Sequence, residues 1–100
     1  MSRANLEFLN TLTDIIRERA ADQKNSTSYT RQLLNAGPDR VSQKVGEEGV
    51  ELALAGVAGT DDELLNEAAD LLFHMMVLLE ARGQSLESAV AVLASRHAAE

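Results

Sequence analysis

Residues 38–83, PDRVSQKVGEEGVELALAGVAGTDDELLNEAADLLFHMMVLLEARG, set acidic side chains into a background of Val, Leu, Ala and Met. Carboxylates are seldom buried without a partner, so the reading of this stretch decides both fold and chemistry. Pro38 stands where a first helical position belongs, and a helix can run from it to about Ala58, with Gly59 as its stop. Thr60-Asp61-Asp62-Glu63 is a capping box that opens a second helix to about Arg82, ended by Gly83. At about 100° per residue, Lys44, Glu47, Glu48 and Glu51 share one stripe of the first helix. Gly46, Gly49, Ala53 and Gly56 form a separate side that a neighbouring helix could approach closely. On the second helix Glu63, Glu67, Asp70 and His74 make a matching polar stripe, and Leu65, Ala68, Leu72, Met75, Met76 and Leu79 occupy most of the rest.

The same periodicity extends outward. Leu6, Leu9, Leu12, Ile15 and Ile16 predict a helix over roughly residues 5–22, and the polar loop DQKNSTSYT follows it. A short helix through YTRQLLNA is expected, with Thr27 or Ser28 as N-cap and Gly37 at its end. Ser85 caps a last helix through LESAVAVLASRH. With no strand pattern, the expectation is one all-α domain over residues 1–100, an antiparallel bundle of about five helices. Helices apolar nearly all round are buried ones. A chain of 100 residues can hardly bury two of them, so a homodimer or larger assembly is expected.

Composition narrows the function. The formal net charge of -7 argues against nucleic-acid binding through phosphate neutralisation. No cysteine is present, which excludes disulfides and thiolate metal sites and fits a reducing cytoplasm. The N-terminus MSRANLEFLNTLTDIIRER has no uninterrupted apolar region and is no signal peptide. The run around ADLLFHMMVLLEA is too short to span a membrane.

Like charges at i,i+3 and i,i+4 cost an exposed helix about 0.2–0.5 kcal/mol per pair, and more where the dielectric falls. Two antiparallel helices that each carry an acidic stripe therefore need positive charge between them. Glu48 and Glu51 lie at i,i+3, and after fifteen residues Glu67 and Asp70 repeat that spacing. These four carboxylates can converge on an oxygen-seeking divalent cation such as Mg²⁺. The plainer alternative is a solvated face paired with Lys44 and Arg40. His74, one turn beyond Asp70, is expected to hydrogen-bond a carboxylate or to line a subunit interface rather than to ligate. Such a site suits cleavage of a phosphate anhydride by water, with basic side chains holding the phosphates. No P-loop, nucleophile elbow or cysteine nucleophile suggests a covalent intermediate.

EEGVE followed by EAADLLFH resembles the ExxE…ExxD signature of the MazG-like all-α nucleoside-triphosphate pyrophosphohydrolases. SYTRQLLNAGPDRVSQKVGEEGVELALAG, DELLNEAADLLFHMMVLLEARGQSLESAVAVL and the closing SRH resemble the phosphoribosyl-ATP pyrophosphohydrolase family in particular, over roughly residues 5–97. The resemblance implies Mg²⁺-dependent hydrolysis of the α–β phosphate bond of 1-(5-phosphoribosyl)-ATP in histidine biosynthesis. It implies Glu48, Glu51, Glu67 and Asp70 as metal ligands. Glu47 would be a further ligand or the group that orients the attacking water, and Lys44 a phosphate contact. Ser28, Tyr29 and Thr30, with Arg40, Lys24 and Arg96, would touch the substrate. DQKNSTSYT departs from the Pro- and Gly-containing approach common in the family. The cyclohydrolase activity fused in some relatives has no room here, so a separate protein is expected to supply it. The rival readings are a house-cleaning pyrophosphohydrolase for ordinary or damaged (d)NTPs, sharing the metal chemistry, and a non-catalytic helical adaptor for which the acids are dispensable.

Overall fold

A computed structural model describes residues 3–22 and 28–98. The elements in chain order are a 3-10 turn, Arg3–Glu7, then α1 (Phe8–Ala21), α2 (Tyr29–Ala36), α3 (Pro38–Ala58), α4 (Asp61–Ala81) and α5 (Leu86–Ala98). The described residues contain no strand. The expected first helix is thus divided: residues 5–7 belong to the tighter turn that often leads into an α-helix.

Local chemistry accounts for the other ends. Ser28 accepts a hydrogen bond from the Arg31 amide at 3.3 Å and caps α2; Thr27, the other expected cap, lies outside the described residues. Gly37 closes α2 at φ 92°, a backbone conformation that a side chain resists. Thr60 and Glu63 exchange the two bonds of the capping box at 3.2 and 3.4 Å. At Gly59 a Cβ would stand 2.9 Å from the Ala55 carbonyl oxygen, so the sharp exit from α3 demands a glycine. Gly83, at φ 71°, ends the α4 segment as expected.

The two 21-residue helices α3 and α4 are joined by Gly59 and Thr60 alone. Gly56 faces Leu64, Glu51 adjoins Glu67, and Glu48 lies near His74. Numbers falling on α4 as they rise on α3 define an antiparallel pair. Val41, Ile16, Leu33, Met76 and Val77 form the buried core, so each of α1 to α4 contributes to it. Leu86 of α5 packs against this core, but α5 has no fully buried residue. The radius of gyration, 14.8 Å, exceeds the roughly 13 Å of a compact domain of this length.

The glycine-rich side of α3 does not receive α4. A Cβ at Gly46 or Gly49 would meet nothing within 4 Å, and one at Gly56 only the tip of Leu64. The helix instead turns the face of Val41, Glu48 and Leu52 inward, because steps of seven and then four residues keep side chains on one side of an α-helix. Glu48 therefore occupies a core position, and His74 does the same seven residues after Glu67.

Candidate active site

Glu48 is only 7% exposed. Its carboxylate and those of Glu67 and Asp70 each offer an oxygen within 4.8 Å of the others. Oε2 of Glu48 and Oε2 of Glu67 are buried and have no hydrogen-bond partner. Unsatisfied buried carboxylate oxygens are costly. Two of them beside a third acid make the donor set that a hard divalent cation requires. The residues fit such an ion.

The charges around the trio are unbalanced. Lys44 Nζ lies 3.8 Å from Glu48 Oε1 and 4.0 Å from Glu47 Oε2, and Arg40 reaches Glu47 Oε1 at 4.0 Å. These two cations face five acids: Glu47, Glu48, Glu51, Glu67 and Asp70. The Glu67 carboxyl is accordingly held above its ordinary value of 4.5. Burial is the largest cause, followed by the hydrogen bond and charge of Glu51 and then the charges of Asp70 and Glu48. A hollow of about 320 Å³ opens beside the acids, lined by Glu51, Glu67, Glu63, Leu54, Ala55, Ala58 and Gly59.

His74 sits behind the trio, 6% exposed. Its Nδ1 is 2.8 Å from the Asp70 carbonyl oxygen and its Nε2 is 2.8 Å from the Tyr29 hydroxyl. The expected hydrogen bond to a carboxylate is replaced by these two, and Glu48 Oε1 stands off at 3.9 Å. The reason is local: at i,i+4 on one helix the backbone carbonyl is the nearer acceptor.

A family model described as phosphoribosyl-ATP pyrophosphohydrolase matches residues 9–97. The chain belongs to that family. Among similar proteins, the histidine biosynthesis bifunctional protein HisIE of Xanthomonas campestris is 55% identical over 91 residues, which are 91% of this chain and 44% of the relative. HisIE of Xylella fastidiosa strain 9a5c is 54% identical with the same coverage. HisIE of Escherichia coli strain K12 is 46% identical over 91 residues, 90% of this chain and 44% of the relative. The chain spans less than half the length of these curated relatives.

Along this chain, the residues singled out from sequence fall into distinct places. Glu48, Glu67 and Asp70 converge, and Glu51 adjoins Glu67 without joining the trio. Glu47 is turned to the rim, against exposed Arg40 and half-buried Lys44, so those three form one row beside the acids. Ser28 is the α2 cap, Thr30 is buried, and Tyr29 is committed to His74. Arg96 lines an apolar hollow with Met75, Leu86 and Leu93, away from the carboxylates. Lys24 lies outside the described residues. Sequence reasoning assigned no function to Glu63 beyond its cap; its place four residues before Glu67 was the available sign that it also borders the hollow.

Proposed function

We propose that this domain hydrolyses the α–β phosphate bond of 1-(5-phosphoribosyl)-ATP to 1-(5-phosphoribosyl)-AMP and pyrophosphate, the second step of histidine biosynthesis. The family match supports the substrate. The convergence of Glu48, Glu67 and Asp70, with two buried oxygens lacking partners, carries the chemistry. These three would hold Mg²⁺, with Glu51 completing the set once Glu67 has given up its proton. When bound, such an ion polarises phosphate oxygens and lowers the pKa of a water. Lys44 and Arg40 hold the phosphates, and Glu47 between them keeps the two cations spaced along the rim. Ser28 and Thr30 build the N-terminal turn of α2 near His74, and Arg96 with Lys24 would act on the substrate only from beyond this cluster.

Assay of phosphoribosyl-ATP beside a panel of dNTPs tests the reading: the former should be turned over faster, with pyrophosphate released in both cases. Faster cleavage of the dNTPs would move the domain to the house-cleaning class. Absence of turnover on every substrate would return the adaptor reading.

We further infer that the working unit is a homodimer. Val50, Leu54, Val57 and Leu65 are all more than 60% exposed, Val57 reaching 88%, and Val90, Val92 and Leu93 line an open face of α5. Large apolar side chains left this exposed are a feature of surfaces that meet a partner. Sedimentation at micromolar concentration should give twice the chain's 10.8 kDa mass; a stable monomer would overturn the inference. A cytoplasmic location accords with a biosynthetic role and a cysteine-free chain. Among the described residues no helix is long and apolar enough to cross a membrane.

A further inference from the structure

His74 is the buried polar group to which the proposed reaction gives no task. Its ring meets Phe73 and Tyr29 edge-on, at centroid distances of 5.3 and 5.8 Å. A carbonyl only accepts, so Nδ1, 2.8 Å from the Asp70 oxygen, carries a proton. In the neutral ring Nε2 then holds the lone pair, and the Tyr29 hydroxyl donates to it at 2.8 Å. Both nitrogens are thereby engaged, which withholds His74 from any metal. The protonated Nδ1 also faces Glu48 Oε1 at 3.9 Å, and Lys44 Nζ faces that same oxygen at 3.8 Å. Two groups bearing N–H bonds thus flank Oε1, and Oε2 is the buried oxygen without a partner.

We infer that Tyr29 and His74 are a positioning pair: the Asp70 carbonyl sets the Nδ1-protonated ring, the Tyr29 hydroxyl anchors that ring through Nε2, and the anchored ring orients the Asp70 turn and Glu48 so that their carboxylates converge. Tyr29 is the first residue of α2, half exposed and stacked on Phe73 at 6.1 Å. The pair therefore ties α2 to the acidic turn of α4 across 45 residues of sequence. Partners that orient ligating side chains in this way typically contribute 10- to 100-fold to metal affinity or activity. The inference rests on reading the carboxylates as a metal site. It revises the expectation that the Tyr29 hydroxyl meets the substrate.

Tyr29→Phe in the full chain tests it, because the ring and its stacking remain while the donor is lost. Long-range ¹H–¹⁵N spectra of the imidazoles should show His74 protonated at Nδ1 in both proteins, with the Nε2 resonance moving in the variant as its hydrogen-bond donor is lost. Calorimetry with Mn²⁺ alone should show affinity weakened about tenfold, and kcat should fall about tenfold with KM within about twofold. An Nε2-protonated ring in the parent, unchanged Mn²⁺ affinity in the variant, or a raised KM at unchanged kcat would each overturn the pair. The spectra and the Mn²⁺ titration need no nucleotide. They would decide the pair even if phosphoribosyl-ATP proved not to be the substrate.

Discussion

Glu48→Gln should lower kcat by about 10²–10³-fold, the scale lost when one preorganised electrostatic group is removed from a reacting centre. Glutamine keeps the volume and reach of the side chain, so the packing around a residue that is 7% exposed is preserved. What disappears is one negative charge of the converging trio. Stability should change little. Loss of the 3.8 Å pair with Lys44 is offset by relief of repulsion toward Glu67, and Lys44 retains Glu47 at 4.0 Å. A shift within about 1 kcal/mol is expected for such an exchange of ion pairs. Asp70→Asn makes the complementary test, because the backbone carbonyl that His74 uses is untouched while the side-chain charge is lost. Steady-state kinetics with thermal melts on both variants separates the possibilities. Activity surviving in both would place the chemistry elsewhere.

Removing the divalent ion should abolish turnover, and over the acid range where Glu67 is partly protonated its rebinding should release protons. The folded-state pKa of Glu67 is raised above 4.5, so the native chain holds this proton more tightly than the unfolded chain. Its contribution to stability is therefore complete below the unfolded value and is lost as pH rises through the folded one. Without metal, the melting temperature of the parent relative to Glu67→Gln should fall across that window. Mg²⁺ has the opposite dependence. It needs the ionised carboxylate, so binding expels the proton and affinity rises with pH. At a concentration 100 times its Kd the ion should add about 2.7 kcal/mol of stability. Calorimetry of Mg²⁺ binding in two buffers of different ionisation heat counts the proton directly. Identical heats within the window would remove Glu67 from the site.

Helix ends were readable because each is set by residues a few positions apart. Pro38, Gly59 and Gly83 act through their own backbone and the Thr60–Glu63 box through side chains three residues apart, and each stands where it is expected. The acidic spacing was equally plain, since i,i+3 places two side chains on adjacent turns whatever surrounds them. The phase of α3 was not. Gly46 and Gly49 read as a side that another helix could approach, with no helix named for it, and α4 lies instead along Glu48, because pattern gives angles around an axis and leaves open which angle faces which neighbour.

Residue order alone established that two long helices carry matched acids. Packing chose among the acids. It drew Glu48, Glu67 and Asp70 together, left Glu51 at their side and Glu47 on the rim with Arg40 and Lys44. It also joined Tyr29 to His74. Those choices depend on distances between separate helices. They arise when Val41, Ile16, Leu33, Met76 and Val77 pack into one core and carry the polar side chains into register with them.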